Sequence, residues 1–219
     1  MDNLRLRFSK TGRAVYISHL DLMRTMQRAF LRAGMPLKYS EGFNPHAQIS
    51  FALPLSVGTA SSCEIMDFRL NGYMELSEIP YRLNRALPEG IRALEVYEWE
   101  NKFKNIKWLD VDGVFEYDER DPADMLPELM DFFSRDSLVI KKKSKSGTND
   151  FDISPCIRSL TFDIDERGIR LKALISAQEP TLNPELLPSA LEQLAPQLKP
   201  DFASFTRVQV YDEQMNIFR

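Results

Sequence analysis

Leu4, Leu6 and Phe8 alternate with Arg5, Arg7 and Ser9, which is the period of a half-buried strand. A helix is predicted almost at once. Ser18 is a good N-cap with Asp21 three residues on, and Gly34, Met35 and Pro36 supply the stop. Leu20, Met23, Phe30 and Ala33, with Met26 beside them, form the expected apolar stripe, and Arg24, Arg28 and Arg32 recur every four residues on the opposite side. Leu37 to Ser40 is a short extended piece, and the turn Gly42-Phe43-Asn44-Pro45 breaks regular structure. Ala47 to Leu53 and Cys63 to Leu70 read as an antiparallel pair across Val57-Gly58-Thr59. Glu75 to Leu87 reads as a helix ended by Pro88-Glu89-Gly90, and Ile91 to Trp99 as a strand.

The second half repeats this order. Val111 to Tyr117 predicts a strand, Pro122 to Phe133 a helix, and Leu138 to Lys143 a short basic strand running into the loop Ser146-Gly147-Thr148-Asn149. Leu160 to Ile164 and Ile169 to Ile175 form a hairpin across Asp165-Glu166-Arg167-Gly168. A helix from Asn183 or Pro184 to about Leu194 follows, and Phe205 to Tyr211 closes as a strand. The expected fold class is therefore α+β, two tandem ferredoxin-like halves, each β-α-β-β-α-β with an antiparallel sheet. Periodicity is lost between Glu100 and Asp110, which divides the chain into 1–100 and 101–219.

Composition narrows the classes. With 43% hydrophobic and 27% charged residues the chain can build a real core. No window approaches the roughly 20 apolar residues of a membrane span, and the N-terminus has no apolar signal core, so a cytoplasmic protein with no membrane partner is expected. Cys63 and Cys156 have no second ligand at metal spacing, so they read as reduced core thiols; neither a metal nor a cofactor is expected. A net charge of -4 and a pI near 5.4 exclude a protein that coats nucleic acid indiscriminately. Residues 1–50 nonetheless carry eight basic against three acidic residues.

One dense set of motifs remains: Phe8-Ser9-Lys10-Thr11-Gly12, Tyr16-Ile17-Ser18-His19-Leu20-Asp21-Leu22-Met23-Arg24, Arg28-Ala29-Phe30, Arg32-Ala33-Gly34, Tyr39 to His46, and Pro54-Leu55-Ser56-Val57-Gly58. With Lys143 to Gly147 and Asp152-Ile153-Ser154-Pro155, these resemble the uncharacterised radical-SAM-associated family, a bacterial domain found alone or fused behind a radical SAM domain and often encoded near ribonuclease G. A looser likeness is to the RNA-binding CRISPR proteins with tandem ferredoxin-like folds, some of which cleave RNA with a histidine. This chain has no trio of closely spaced cysteines, so the resemblance implies that radical chemistry belongs to a partner.

Arginine forks match phosphate oxygens, and exposed aromatics stack on unpaired bases. A stripe such as Arg24, Arg28 and Arg32 is by itself an ordinary solvated face; what shifts the reading toward RNA is the interleaving of Tyr16, Tyr39 and Phe43 with Lys10, Arg13 and Lys38. Asn44, His46, Lys143 and Lys145 complete the candidate contacts. His19 and His46 are the chain's two histidines and its candidate general acid or base, although each also suits a structural place at a helix start or in a turn. The expected role is an RNA-binding accessory to a radical SAM enzyme, on tRNA or rRNA, gripped in a cleft between the Arg24 helix and the Lys141 to Gly147 loop. The alternatives are a histidine endoribonuclease and a protein-protein adaptor for that partner. The turn Gly42 to His46 is expected beside the first helix with Asn44 and His46 open to solvent.

Overall fold

The computed structural model describes residues 1–144 and 147–219, which divide into two compact units, Met1–Phe103 with Arg219, and Lys104–Phe218. The first unit begins with β1 (Leu4–Lys10), whose alternation buries Leu4, Leu6 and Phe8 completely. It continues through α1 (His19–Arg32), β2 (Ile49–Phe51), β3 (Ala60–Phe68), α2 (Glu78–Asn84) and β4 (Ile91–Glu98). The strands lie in the order β4-β1-β3-β2, every pair antiparallel, as the split βαβ plan requires. Both helices close the β1 face: Leu22, Met26, Ala29 and Phe30 from α1 and Ile79 and Leu83 from α2 join Leu4, Leu6, Phe8, Met66 and Phe68 in one core.

The apolar stripe of α1 differs from the one its pattern predicts. Leu22, Met26, Ala29 and Phe30 are inside, Met23 and Ala33 are only partly buried, and Leu20 is half exposed. The register explains it. At about 3.6 residues per turn Leu20 stands roughly 160° from Leu22, so the two cannot share a face. The ends are as expected: the Ser18 hydroxyl accepts from Asp21 N at 3.2 Å and donates to Asp21 Oδ2 at 2.7 Å. At the other end Gly34 adopts a φ of +69° while Met35 N reaches back to Phe30 O at 3.0 Å, the closure a left-handed residue permits. β2 is shorter than Ala47 to Leu53 because Leu53 turns to a φ of +46° ahead of Pro54.

The second unit repeats the plan with an addition. β5 (Trp108–Glu116), α3 (Pro122–Phe133), β8 (Ile157–Asp165), β9 (Gly168–Ser176), α4 (Leu186–Leu194) and β10 (Phe202–Tyr211) give the order β10-β5-β9-β8, again antiparallel. Between α3 and β8 stands a hairpin of β6 (Val139–Ser144) and β7 (Gly147–Asp152), which pair with each other as a separate two-stranded sheet. Gly147 to Asn149 was expected as loop and is instead strand. These residues pair with Ser144, Lys143 and Lys142 in a ladder whose base sets buried Ile140 opposite Phe151; the exposed Lys141–Asp150 pair beside it, with Nζ 2.6 Å from the carboxylate, adds little. Cys63 and Cys156 are buried and form no disulfide, and burial pushes the Cys156 thiol up. No helix among the described residues is long and apolar enough to cross a membrane.

Just beyond β5, the Tyr117 hydroxyl donates to Leu198 O at 2.9 Å, and burial pushes its phenol up to about 12. A raised folded value against an ordinary value of 10.0 means the neutral phenol stabilises the fold below pH 10, and that contribution is lost as pH rises toward 12. Alkaline titration of stability should therefore fall more steeply between pH 10 and 12 in the wild type than in Tyr117→Phe; parallel curves would contradict the assignment. Solvent at this half-buried site keeps the difference modest.

Candidate nucleic-acid interface

The core face of α1 fixes what its outer face presents. Arg24, Arg28 and Arg32 are all exposed, but they are differently engaged. Arg24 lies 3.4 Å from Asp21 in a solvent-exposed pair, and Arg32 donates to Ala86 O at 2.6 Å. Arg28 has no hydrogen bond or ion pair among the described residues.

Beyond Gly34 the chain doubles back along α1. Leu37 bridges to Leu70, while Tyr39 bridges to Ala47 with Gln48 N donating to Lys38 O at 2.8 Å, so residues 38–40 and 46–48 form a short antiparallel ladder closed by Ser40 N donating to His46 O at 2.9 Å. This return sets Tyr39 against the helix. Gln27, Arg28, Leu31, Met35, Pro36, Leu37 and Tyr39 line one groove of about 260 Å³, in which an unpaired guanidinium and a half-exposed phenol ring share a wall. The turn above is held from inside: the Ser40 hydroxyl accepts from His46 N at 3.1 Å and lies 2.9 Å from His46 Nδ1. The side chains of Asn44 and His46 are open to solvent, and Phe43 is fully exposed.

His46 also reaches a second groove, of about 400 Å³, with Gln48, Ser50, Asp67, Arg69 and Trp99 on its walls. Its polar groups are mostly committed. Arg69 donates to Gln48 Oε1 at 3.1 Å, and Asp67, whose carboxyl burial pushes up against the pull of Arg5, accepts from Arg5 at 2.6 and 2.9 Å.

The remaining sequence candidates scatter. Lys10, expected among the RNA contacts, is instead only 1% exposed, and its Nζ donates to Val15 O at 3.1 Å, tying β1 to the turn of 3-10 helix at Gly12–Tyr16. A lysine so enclosed cannot reach a phosphate. Arg13 and Tyr16 are exposed on that turn, and Lys38 is half-exposed beside Asp2 at 3.5 Å. His19 is half-buried, its ring edge-on to Phe51 at 5.3 Å, and no hydrogen bond or ring contact joins it to His46 among the described residues. In the second unit Lys141 pairs with Asp150, and Lys142 donates to Thr181 O and stands over the Phe151 ring. Lys143 is exposed on β6; Lys145 lies outside the described residues. No cluster of three or more metal-binding side chains occurs among the described residues.

Pattern reading passed over α2. Tyr81, Arg82 and Arg85 are exposed there and line a third groove, of about 670 Å³, with Arg32, Ala33, Glu78 and Ala86. The signal was an aromatic with arginines one and four residues on, inside a segment read only as a helix.

Among the described residues, four α-helices and two 4-1-3-2 antiparallel arrays make this an α+β protein of two ferredoxin-like units, with a basic, aromatic helical face on the first. The chain belongs to the bacterial family described as "Uncharacterized protein conserved in bacteria (DUF2344)", whose model matches residues 3–184. Among solved structures, a chain of a Cbf5-Nop10-Gar1 complex is similar at a TM-score of 0.55 and 8% identity, over 97% of this chain and 50% of that one, a likeness of fold. This chain thus spans about half the length of that relative. An unknown protein from Galdieria sulphuraria matches at a TM-score of 0.27 and 8% identity, over 94% of this chain and 98% of its own. No curated protein matches.

Proposed function

We propose that this protein is an RNA-binding accessory module that holds a tRNA or rRNA for a radical SAM modifying enzyme. The observation that carries the RNA part is the groove in which Arg28, without a protein partner among the described residues, meets Tyr39, with Phe43 fully exposed on the turn between the ladder strands. A guanidinium takes a backbone phosphate, and an exposed ring takes an unstacked base. About 260 Å³ is below the usual 300–1,000 Å³ of small-molecule pockets, which suits one nucleotide of a longer strand. The chain's overall negative charge then restricts binding to this face. The enzyme partner rests on the motifs of residues 8–58, which resemble those of radical-SAM-associated proteins; no step of radical chemistry is assigned to this chain.

The test is a gel shift with total tRNA and rRNA at low salt. Arg28→Glu with Tyr39→Ala should weaken binding at least tenfold and lower the slope of log K against log salt by about one, the signature of a lost phosphate contact. No binding by the wild type, or equal binding by the double variant, would remove the RNA reading. Co-purification of a radical SAM protein that survives ribonuclease treatment would turn the same surface into a protein-docking one.

A further inference from the structure

We infer that the groove between α1 and α2 is a separate site for a terminal phosphate on a nucleoside, the chemistry that a free mononucleotide and the 5′ end of an RNA share. Three arginines, Arg32, Arg82 and Arg85, line this groove against one acidic residue, Glu78. Ala33 and Ala86, just past the C-terminal ends of the two helices, also line it, and their side chains are small. At about 670 Å³ it falls within the range of small-molecule sites.

The arginines are partly held in place. Arg32 donates to Ala86 O at 2.6 Å, and Arg82 to Glu78 Oε2 at 3.0 Å, so each is oriented while keeping most of its five donors. The Arg85 side chain has no hydrogen bond or ion pair among the described residues. Cations at a helix C-terminus answer the helix dipole, and Arg32 and Arg82 sit in the last turns of their helices. Two helix ends supply only about one negative charge between them, at roughly one half each, and the groove stays positive after that and Glu78 are counted. A phosphate monoester offers three terminal oxygens and about two negative charges to such a cluster, more than an internal diester does. Tyr81, 67% exposed on the same wall, supplies a ring for the base.

This site stands apart from the Arg28 and Tyr39 groove, and its test can fail alone. Binding of adenosine 5′-monophosphate, adenosine and inorganic phosphate to the full chain is measured by calorimetry, beside a 5′-phosphorylated RNA 12-mer and its 5′-hydroxyl twin by anisotropy. The nucleotide should bind more tightly than either of its parts, and the phosphorylated RNA more tightly than its twin. Arg85→Gln should cut both at least fivefold and Arg85→Glu at least tenfold, with the circular dichroism spectrum unchanged. Tyr81→Ala should erase the preference for nucleotide over inorganic phosphate while sparing phosphate itself. Whichever of mononucleotide or RNA end binds more tightly identifies the source. Indifference to the 5′-phosphate together with no nucleotide binding, or full binding by both Arg85 variants, would overturn the site.

Discussion

Arg5→Ala is expected to cost the fold about 3–5 kcal/mol, the range for removing one partner of a buried ion pair. Arg5 alternates away from the core face of β1 yet is fully buried. Its Nε and NH2 donate to the two Asp67 oxygens at 2.6 and 2.9 Å, and NH2 also donates to Asn101 O at 2.9 Å. Its guanidinium lies 4.7 Å from the Phe103 ring centroid and 5.4 Å from that of Trp99. Alanine would strand Asp67, whose carboxyl burial already pushes up, without the opposing pull of the guanidinium. A carboxyl with a folded value raised above 3.8 penalises the fold when charged and ceases to when protonated, so the deficit should shrink on acidification from pH 7 toward pH 4. Arg5→Met with Asp67→Leu should recover most of the loss, since an apolar pair of similar size leaves no unpaired charge. Urea melts of the three proteins decide it; a single-variant cost below about 1 kcal/mol would show the pair to be incidental.

The second large effect sets two glycines against each other. Gly90 and Gly72 have nearly the same backbone, φ +86° and +91°, and an alanine at either meets the penalty of a left-handed conformation, about 1–2 kcal/mol. Only at Gly90 is the space taken. A Cβ there would lie 2.4 Å from Thr11 O and 2.8 Å from Ala14 Cβ, while at Gly72 it would meet nothing within 4 Å. Relief would pull apart the bond from Thr11 N to Gly90 O, now 2.7 Å, which ties the end of β1 to the start of β4. Adding a lost hydrogen bond of about 1 kcal/mol and overpacking of about 1–3 kcal/mol, Gly90→Ala should lose about 4 kcal/mol against about 1–2 for Gly72→Ala. Similar losses in thermal melts of the two variants would mean that the turn accommodates the methyl group.

The fold was legible because its signals are local. Alternation at Leu4, Leu6 and Phe8, the cap at Ser18 and the stop at Gly34 each act over a few residues, and the element order follows from them. Met26 and Phe30 of the expected α1 stripe are inside, but its ends were misread because Leu20 and Met23 look as apolar as Leu22 and Ala29; which set lies inside depends on the helix start. β6 was legible as a short basic strand, but its partner β7 was not, because Gly147 to Asn149 carries the turn residues of a loop and is paired only across strands. For the interface, exposure of Arg28, Tyr39 and Phe43 suited the pattern, but Lys10 did not, since a strand-end lysine carries no local mark of its burial. The α1–α2 groove was out of reach altogether: Arg32 and Arg85 are more than fifty positions apart in the sequence, and only folding brings them together.

The strand order has a bearing on synthesis. β1 is made before the other strands of its unit, yet its two neighbours are β3 and β4, and its last partner ends at Glu98. Nearly the whole first unit must be made before its opening strand is paired along both edges. β5 stands in the same position toward β9 and β10 and must wait until Tyr211. Each unit therefore holds a strand with at least one open edge for most of its translation, and Arg5, Arg7 and Lys10 in the one and Asp110 and Asp112 in the other put charge on that strand during the wait, where an exposed apolar edge would invite pairing with a neighbouring chain.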